Sequence, residues 1–266
     1  MPEQKVAIVT GASGGIGYAT AKRLAAAGYR VYGLSRHPRE EAWMHGLAAD
    51  VCDAQAVESL VAQVYAAEGR IDLLVSNAGF GISGPVEDTL PADAKRQMDV
   101  NFFGFFHCAR AVIPYMRAQG GGCITAVSSV AGTIPIPFQA FYSASKAAVN
   151  SLSLALANEV RSFGIRVLAV MPGDVRTGFT AAREKGAAKP GSPYAGVLER
   201  SVAGMERDEQ GGMSPDYVAK CICRAVACKH PRPLYTIGGK YQVFTCLAKL
   251  LPARLCNWLV GRLYAS

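Results

Sequence analysis

Short apolar runs alternate with longer segments of mixed polarity along most of the chain. Residues 6–10 read Val-Ala-Ile-Val-Thr, an uncharged, β-branched stretch that predicts a strand buried on both faces. Residues 18–27 predict a helix closed by Gly28. Further strands are predicted at 30–34, in a run closed by Asp50-Val51, and at 72–76, 123–127, 166–170 and 234–239. A long apolar helix is predicted around 98–104, and another carries Tyr142 and Lys146. Strands alternating with helices predict an α/β fold with one doubly wound parallel sheet and ligands above the strands' carboxyl ends. Beyond residue 239 the pattern changes. Residues 243–263 are amphipathic, with Lys249, Arg254 and Arg262 among Leu, Val, Phe and Trp258. Those charges and Pro252 keep the segment from spanning a bilayer. We read 1–239 as one α/β domain and 240–266 as a helical extension packed on it.

Half of the 266 residues are hydrophobic, enough for one large core, and no linker or repeat divides them. The formal net charge of +8 suits nucleic acid, a membrane surface or an anionic small molecule. The basic residues are scattered, without a long run or an aromatic-interleaved patch, which argues against nucleic-acid binding. Eight cysteines form no disulfide framework. Cys221, Cys223 and Cys228 are the one cluster, and no histidine completes a ligand set, so no metal site is expected. The start, Met1-Pro2-Glu3-Gln4-Lys5, enters a strand without an apolar signal core, which points to the cytoplasm.

Chemistry enters at residues 11–17, Gly-Ala-Ser-Gly-Gly-Ile-Gly, between the first strand and the first helix. Glycines there let the backbone approach a diphosphate, and the helix N-terminus adds free N–H groups and a positive dipole end. A merely tight turn is the alternative. Ser35-Arg36 closes the second strand, where a carboxylate would accept ribose hydroxyls and repel a 2′-phosphate. A hydroxyl and a guanidinium suit that phosphate instead, so NADP(H) is the expected cofactor, with Ser13, His37 and Arg39 as helpers.

Tyr142 and Lys146 stand four apart on a helix and share a face. An ammonium lowers the pKa of a neighbouring phenol, as acid–base catalysis at neutral pH requires. On spacing alone the ordinary surface pair is by far the commoner reading.

Taken together, Thr10-Gly11 with Gly15-Ile16-Gly17, Asn77-Ala78-Gly79, Ser129, Tyr142 with Lys146, and Pro172-Gly173 make the chain resemble the short-chain dehydrogenase/reductase family over residues 5–177. Pro137-Phe138 and Val100-Asn101-Phe102-Phe103-Gly104 are similar to its 17β-hydroxysteroid-dehydrogenase-like members. The resemblance implies a single Rossmann-type domain and an NADP(H)-dependent enzyme interconverting alcohol and ketone. It implies that Ser129 donates to the substrate carbonyl and that Tyr142 supplies its proton. Lys146 then holds the nicotinamide ribose and lowers the Tyr142 pKa, while Asn101 links Lys146 to solvent through water. Ser128 is the alternative to Ser129, and a buried capping role is the alternative for Asn101. Asp50 and Val51 are implied to frame the adenine, and Asn77, Ala78 and Gly79 to lie beside the cofactor, although Asn77 also suits a strand-end turn. Pro172, Gly173, Val175 and Thr177 are implied to present the nicotinamide.

Substrate walls in this family come from three loops, here 80–82, 133–138 and 179–213. Phe80, Ile136, Phe138 and Phe179, beside Ser129 and Tyr142, predict an apolar wall for a steroid-like or other lipophilic ketone. The alternatives are a lipid-linked ketone, such as an acyl-dihydroxyacetone phosphate, reduced at a membrane surface, or a non-catalytic NADP(H)-binding regulator. Residues 181–192 read as a mobile lid whose Arg183, Lys185 and Lys189 either meet an acidic substrate tail or form a solvated face. The C-terminal extension packs on the core, caps the cleft or makes peripheral contact with a membrane. Because it would obstruct one tetramer interface, a homodimer through the Asn101 and Tyr142 helices is expected.

Overall fold

In the computed structural model, which describes residues 4–186 and 191–265, the apolar runs become the parallel strands of one sheet. Lys189 and Pro190 of the expected lid lie outside the described residues, as do Met1, Pro2 and Glu3. The chain begins with β1 (Val6–Thr10), α1 (Gly15–Ala26), β2 (Arg30–Ser35), β3 (Met44–Ala48), α2 (Ala54–Glu68) and β4 (Leu73–Ser76). A two-residue β5 (Ile82–Ser83) precedes α3 (Pro91–Met98), α4 (Gly104–Ala118), β6 (Gly122–Val127), α5 (Ala140–Glu159) and β7 (Ile165–Pro172). Then come α6 (Phe179–Ala182), β8 (Glu184–Lys185), α7 (Ala195–Gln210), α8 (Pro215–Ala227), β9 (Leu234–Ile237), α9 (Gly239–Leu250) and α10 (Ala253–Tyr264).

The main sheet has seven parallel strands in the order β3-β2-β1-β4-β6-β7-β9. Strand order reverses beside β1, which opens a crevice above the carboxyl ends of β1 and β4. Every residue of β1 and β4 is buried, because helices cover both faces. Val57, Val61, Val112, Met116 and Val149 of α2, α4 and α5 pack on one face. Ala21, Leu24, Val218 and Ile222 of α1 and α8 pack on the other.

Helix ends explain which termini stay open. The Asp53 carboxylate caps α2 by accepting Ala56 N at 3.0 Å, and Ser214 caps α8 by accepting Tyr217 N at 3.2 Å. Helix α1 has no side-chain cap, so its first N–H groups remain available at the crevice. It also starts at Gly15 rather than residue 18, which makes Gly15-Ile16-Gly17 its first turn.

Two further expectations change. Asp50 and Val51 do not close a strand: β3 stops at Ala48, and the pair turns into α2, with Asp50 Oδ1 accepting Cys52 N at 2.9 Å. The helix around Asn101 is not a regular apolar helix. A polar α3 and an apolar α4 are joined by a π-helical turn, Asp99–Phe103, whose wider winding re-aims the side chains it carries. The extension folds as two helices separated at Pro252, which lacks the N–H needed to continue α9.

Candidate active site

The backbone must turn sharply from β1 into α1, and Gly11 and Gly15 do so with φ of 65° and 54°, values that strain other residues. Gly17 is required for space, since a Cβ there would stand 2.3 Å from the Gly11 carbonyl oxygen and 2.5 Å from Asn77 Nδ2. Asn77 Nδ2 donates to the carbonyls of Thr10 and Gly11 at 3.1 and 3.3 Å. Thr10 Oγ1 accepts Asn77 N and Ala78 N, each at 2.9 Å. The turn after β4 is thereby locked to the turn after β1, so Asn77 has a structural role in addition to its place at the crevice. Gly11, Ser13, Gly15 and Ile16 line a cavity of about 1070 Å³, whereas Gly17 lies beneath it. A glycine-rich turn against an uncapped twelve-residue helix fits a dinucleotide's diphosphate.

Ser35, Arg36 and His37 line the same cavity after β2, facing Asp50 and Val51 from the next turn. Ser35 Oγ is buried without a hydrogen-bond partner. Buried hydroxyls seldom stay unsatisfied, and a phosphate oxygen held by Arg36 would supply the missing partner. Arg39 is placed elsewhere, stacked 5.2 Å from the centre of the Tyr18 ring.

The groups able to move a proton converge where β6 ends against α5. Lys146 Nζ lies 5.7 Å from the centre of the Tyr142 ring and donates to the Val127 carbonyl at 2.9 Å. Ser128 Oγ donates to the Lys146 carbonyl at 3.0 Å, which commits that hydroxyl to α5. Ser129 hydrogen-bonds Tyr142 and favours its phenolate. Asn101, buried in the π-helical turn, accepts Phe80 N at 3.0 Å through Oδ1 and donates through Nδ2 to Phe80 O at 3.1 Å and Ser145 Oγ at 3.0 Å. A Cβ on Gly79 would stand 3.1 Å from Asn101 Oδ1 and 3.5 Å from Lys146 Nζ, so glycine keeps the space between them open.

Electrostatics revise one expectation. Burial pushes the Tyr142 phenol up to about 12, opposed by the Ser129 hydrogen bond and by the nearby Arg183 charge. Burial pushes Lys146 down to about 8. The Tyr142 phenol is therefore raised rather than lowered: Ser129 and Arg183 oppose the rise, Lys146 is not among the groups that lower it, and the same desolvation disfavours the Lys146 ammonium. At neutral pH the phenol keeps its proton.

Pro172, Gly173, Val175 and Thr177 continue the cavity wall after β7. Gly173 also makes room for α9, because the Tyr241 ring rests on it and an added Cβ would stand 2.1 Å from Cε2. The Tyr241 hydroxyl donates to Asp174. Phe80, Ile136 and Phe179 reach the wall, with the Phe179 ring 5.6 Å from that of Tyr142. Phe138 does not reach it. Its φ of 60° is rare for a bulky residue, and its carbonyl accepts Gly84 N at 2.8 Å. Phe244, Leu247 and Leu251, with Leu259 and Leu263 of α10, close the cavity at the three-to-four spacing of helix faces. The extension therefore caps the cleft.

The described part of the lid is tethered rather than loose. Strand β8 pairs with β5, and Arg96 holds the Glu184 carboxyl below its ordinary range. Lys185 pairs with Glu206 at 2.7 Å. Arg183 is 4% exposed and pairs with Glu209, which also accepts Thr180 Oγ1 at 2.6 Å. Neither a solvated face nor a free grip on an acidic tail describes it. The Gln139 amide oxygen, turned toward the guanidinium, accepts Nε and Nη2 at 3.1 and 3.2 Å. Buried Gln97 accepts Ile82 N at 2.8 Å and donates to Phe80 O at 2.6 Å, fixing the first substrate loop. Gln97, Gln139 and the burial of Arg183 had no signal in the sequence. For the α9 and α10 contacts, the amphipathic spacing was the available clue.

The short chain dehydrogenase family model matches residues 5–188. The 3-ketodihydrosphingosine reductase of Bacteroides thetaiotaomicron is 38% identical over 266 residues, covering 99% of each chain. Among solved structures, a short-chain dehydrogenase from Streptomyces avermitilis superposes with a TM-score of 0.86 at 31% identity, covering 98% of each chain. A short chain dehydrogenase/reductase from Burkholderia phymatum in complex with NAD gives a TM-score of 0.80 at 25% identity, covering 93% of this chain and 92% of that one.

Proposed function

The chain belongs to the short-chain dehydrogenase family, oxidoreductases that use a nicotinamide cofactor, and on that premise we propose that it reduces the ketone of a long-chain amphiphile with NADP(H). The reach of the likeness carries the substrate class. The family model stops at residue 188, whereas the match to the 3-ketodihydrosphingosine reductase runs through the tail as well. In this chain that tail supplies an apolar wall of the Tyr142 cavity. This favours a lipid-linked ketone over a steroid-like one. Arg183 and Lys185 are engaged by Glu209 and Glu206, and Asp174, Asp208 and Glu209 line the cavity. Glu209 is paired with Arg183, and Asp174 with Tyr241 and Lys240, so it is Asp208 that suits an amine-bearing headgroup better than the phosphate of an acyl-dihydroxyacetone phosphate. The preference for NADP(H) rests on Arg36 and the unpartnered Ser35 hydroxyl.

When bound, the nicotinamide supplies the hydride. Gly11, Ser13, Gly15 and Ile16 hold its diphosphate, Asp50 and Val51 its adenine, and Val175 and Thr177 its carboxamide. Ser129 donates to the ketone oxygen, and Tyr142 gives that oxygen its phenolic proton as negative charge develops there. Tyr142 is protonated at neutral pH, as donation requires, and the Ser129 hydrogen bond opposes the rise that burial causes. Lys146 stabilises the phenolate left behind, and a water beside Asn101, in the space that Gly79 leaves open, would link Lys146 to solvent for the proton's return. A non-catalytic regulator has no use for this set. Phe103, Phe106 and Leu154, exposed on the π-helical turn, α4 and α5, support a homodimer through those helices.

The test is oxidation of NADPH and NADH with 3-ketodihydrosphingosine, a steroid ketone and an acyl-dihydroxyacetone phosphate. NADPH with the long-chain amino ketone is expected to turn over fastest. Binding of NADPH without turnover of any ketone would refute the enzyme, and a faster steroid reaction would refute the substrate class.

A further inference from the structure

From Tyr217 to the C-terminus the sequence has eight Lys and Arg and no Asp or Glu, a local charge equal to the +8 of the whole chain. Four of these cations, Lys240, Lys249, Arg254 and Arg262, stand on α9 and α10. The same helices carry much of the exposed apolar surface. Val243 is 57% exposed, Leu250 76% and Trp258 58%, and Leu255 joins them, yet none of the four lines the catalytic cavity. Helix α10 has no buried residue at all. Folding in water does not explain large apolar side chains left outside on a two-helix cap.

A second set of residues belongs to both surfaces. Phe244, Leu247, Leu259 and Leu263 line the cavity and are also 40–75% exposed, so the wall that closes the cavity here is one side chain thick and reaches solvent. Leu263 also borders a smaller cavity of about 340 Å³ between α7 and α10, where Arg200 and Arg207 stand with Asp208 and the buried, unpartnered Ser201 hydroxyl. No helix among the described residues is long and apolar enough to cross a membrane.

We propose that α9 and α10 dock on an anionic phospholipid surface, with Val243, Leu250, Leu255 and Trp258 entering the interface and Lys249 and Arg254 meeting lipid phosphates. Lys240 instead faces Asp174 at the cavity, and Arg262 stacks on Trp258. Exposed apolar side chains accompanied by cations and no carboxylates form the pattern that binds acidic bilayers in the interfacial plane. The thin wall of the cavity then faces the membrane, and an amphiphile's chain slides between the helices to bring its ketone to Tyr142. This delivery step rests on the amphiphile-ketone reading above, whereas the docking itself does not.

The test mixes the full chain with sucrose-loaded vesicles of phosphatidylcholine alone, or of equal parts phosphatidylcholine and phosphatidylglycerol. Co-sedimentation with the anionic vesicles is expected, weakened by salt, together with a blue shift of Trp258 emission. Leu250→Asp combined with Trp258→Asp should reduce vesicle binding about tenfold or more. Turnover of a water-soluble short-chain ketone should be unchanged, because neither residue lines the cavity. A second variant, Lys249→Glu with Arg254→Glu, should lose the preference for anionic over neutral vesicles. Failure of the wild type to sediment at low salt would overturn the docking, as would sedimentation indifferent to both variants. A dimer dispersed by the apolar variant, without vesicle binding, would assign the face to a second copy and also overturn it. If vesicles bind but no ketone is reduced, the enzyme reading falls and the docking stands.

Discussion

Replacing Arg183 with Met tests whether the lid is held by a buried ion pair. The substitution keeps an unbranched stem beside Phe179, whose ring centre lies 5.7 Å from the guanidinium carbon. It removes the pair with Glu209 and the two hydrogen bonds to Gln139. Glu209 is left with the Thr180 hydroxyl as its remaining partner in this network, while its side chain is 13% exposed against 0% for Arg183. Stranding a buried charge costs about 3–5 kcal/mol. The partial exposure of Glu209 admits water, which places the loss near the lower end, about 3 kcal/mol. For a domain of this size that lowers Tm by about 6–12 °C. The assay is thermal unfolding followed by circular dichroism, alongside limited proteolysis of the lid. Arg183→Met with Glu209→Leu should recover much of the loss, because an apolar pair strands no charge. A single variant that melts within a degree of wild type would show Arg183 to be solvated and the reasoning wrong.

Other outcomes follow from the proton path and the cofactor site. Tyr142→Phe should lower turnover about a hundred- to ten-thousandfold while NADPH binding, read by fluorescence, persists; normal turnover would remove Tyr142 from the mechanism. Arg36→Leu should raise KM for NADPH about ten- to hundredfold and leave that for NADH in place, and an equal rise for both would refute the phosphate contact. Lys146 titrates near 8 when folded against 10.5 ordinarily, so between those values the unfolded chain binds the extra proton and wild-type stability rises with pH. Lys146→Met lacks that rise, and in urea melts the wild type should gain on the variant from pH 8 to 10.5; parallel curves would contradict a depressed Lys146.

The nucleotide frame was legible because its signals are local. A β-branched run buried on both faces can only be a central strand, and four glycines at its end leave room for a turn that approaches an anion. Helical spacing puts Tyr142 and Lys146 on one face, and the Lys146 ammonium lies 5.7 Å from the centre of the Tyr142 ring. Less legible was how the same residues feel their surroundings. The spacing of Tyr142 and Lys146 suggested a lowered phenol, yet both groups are governed by desolvation, which is a property of everything packed around α5. Asp50 and Val51 were placed at the crevice while their strand ending was misjudged by two residues, because a turn and a strand end share the same residue types. Phe138 looked like a substrate contact, but its backbone conformation sends it elsewhere.

Neighbours within a few residues thus specify the parallel strands, the glycine turn after β1 and the helix face that Tyr142 and Lys146 share. Contacts between distant segments bury Arg183 against Glu209, turn Asn101 toward Phe80 and Ser145, and set α9 and α10 over the cavity with an apolar face left outside. Burial is a property of residues brought together from distant parts of the chain, and it sets the cost of each charge and the use of each apolar side chain.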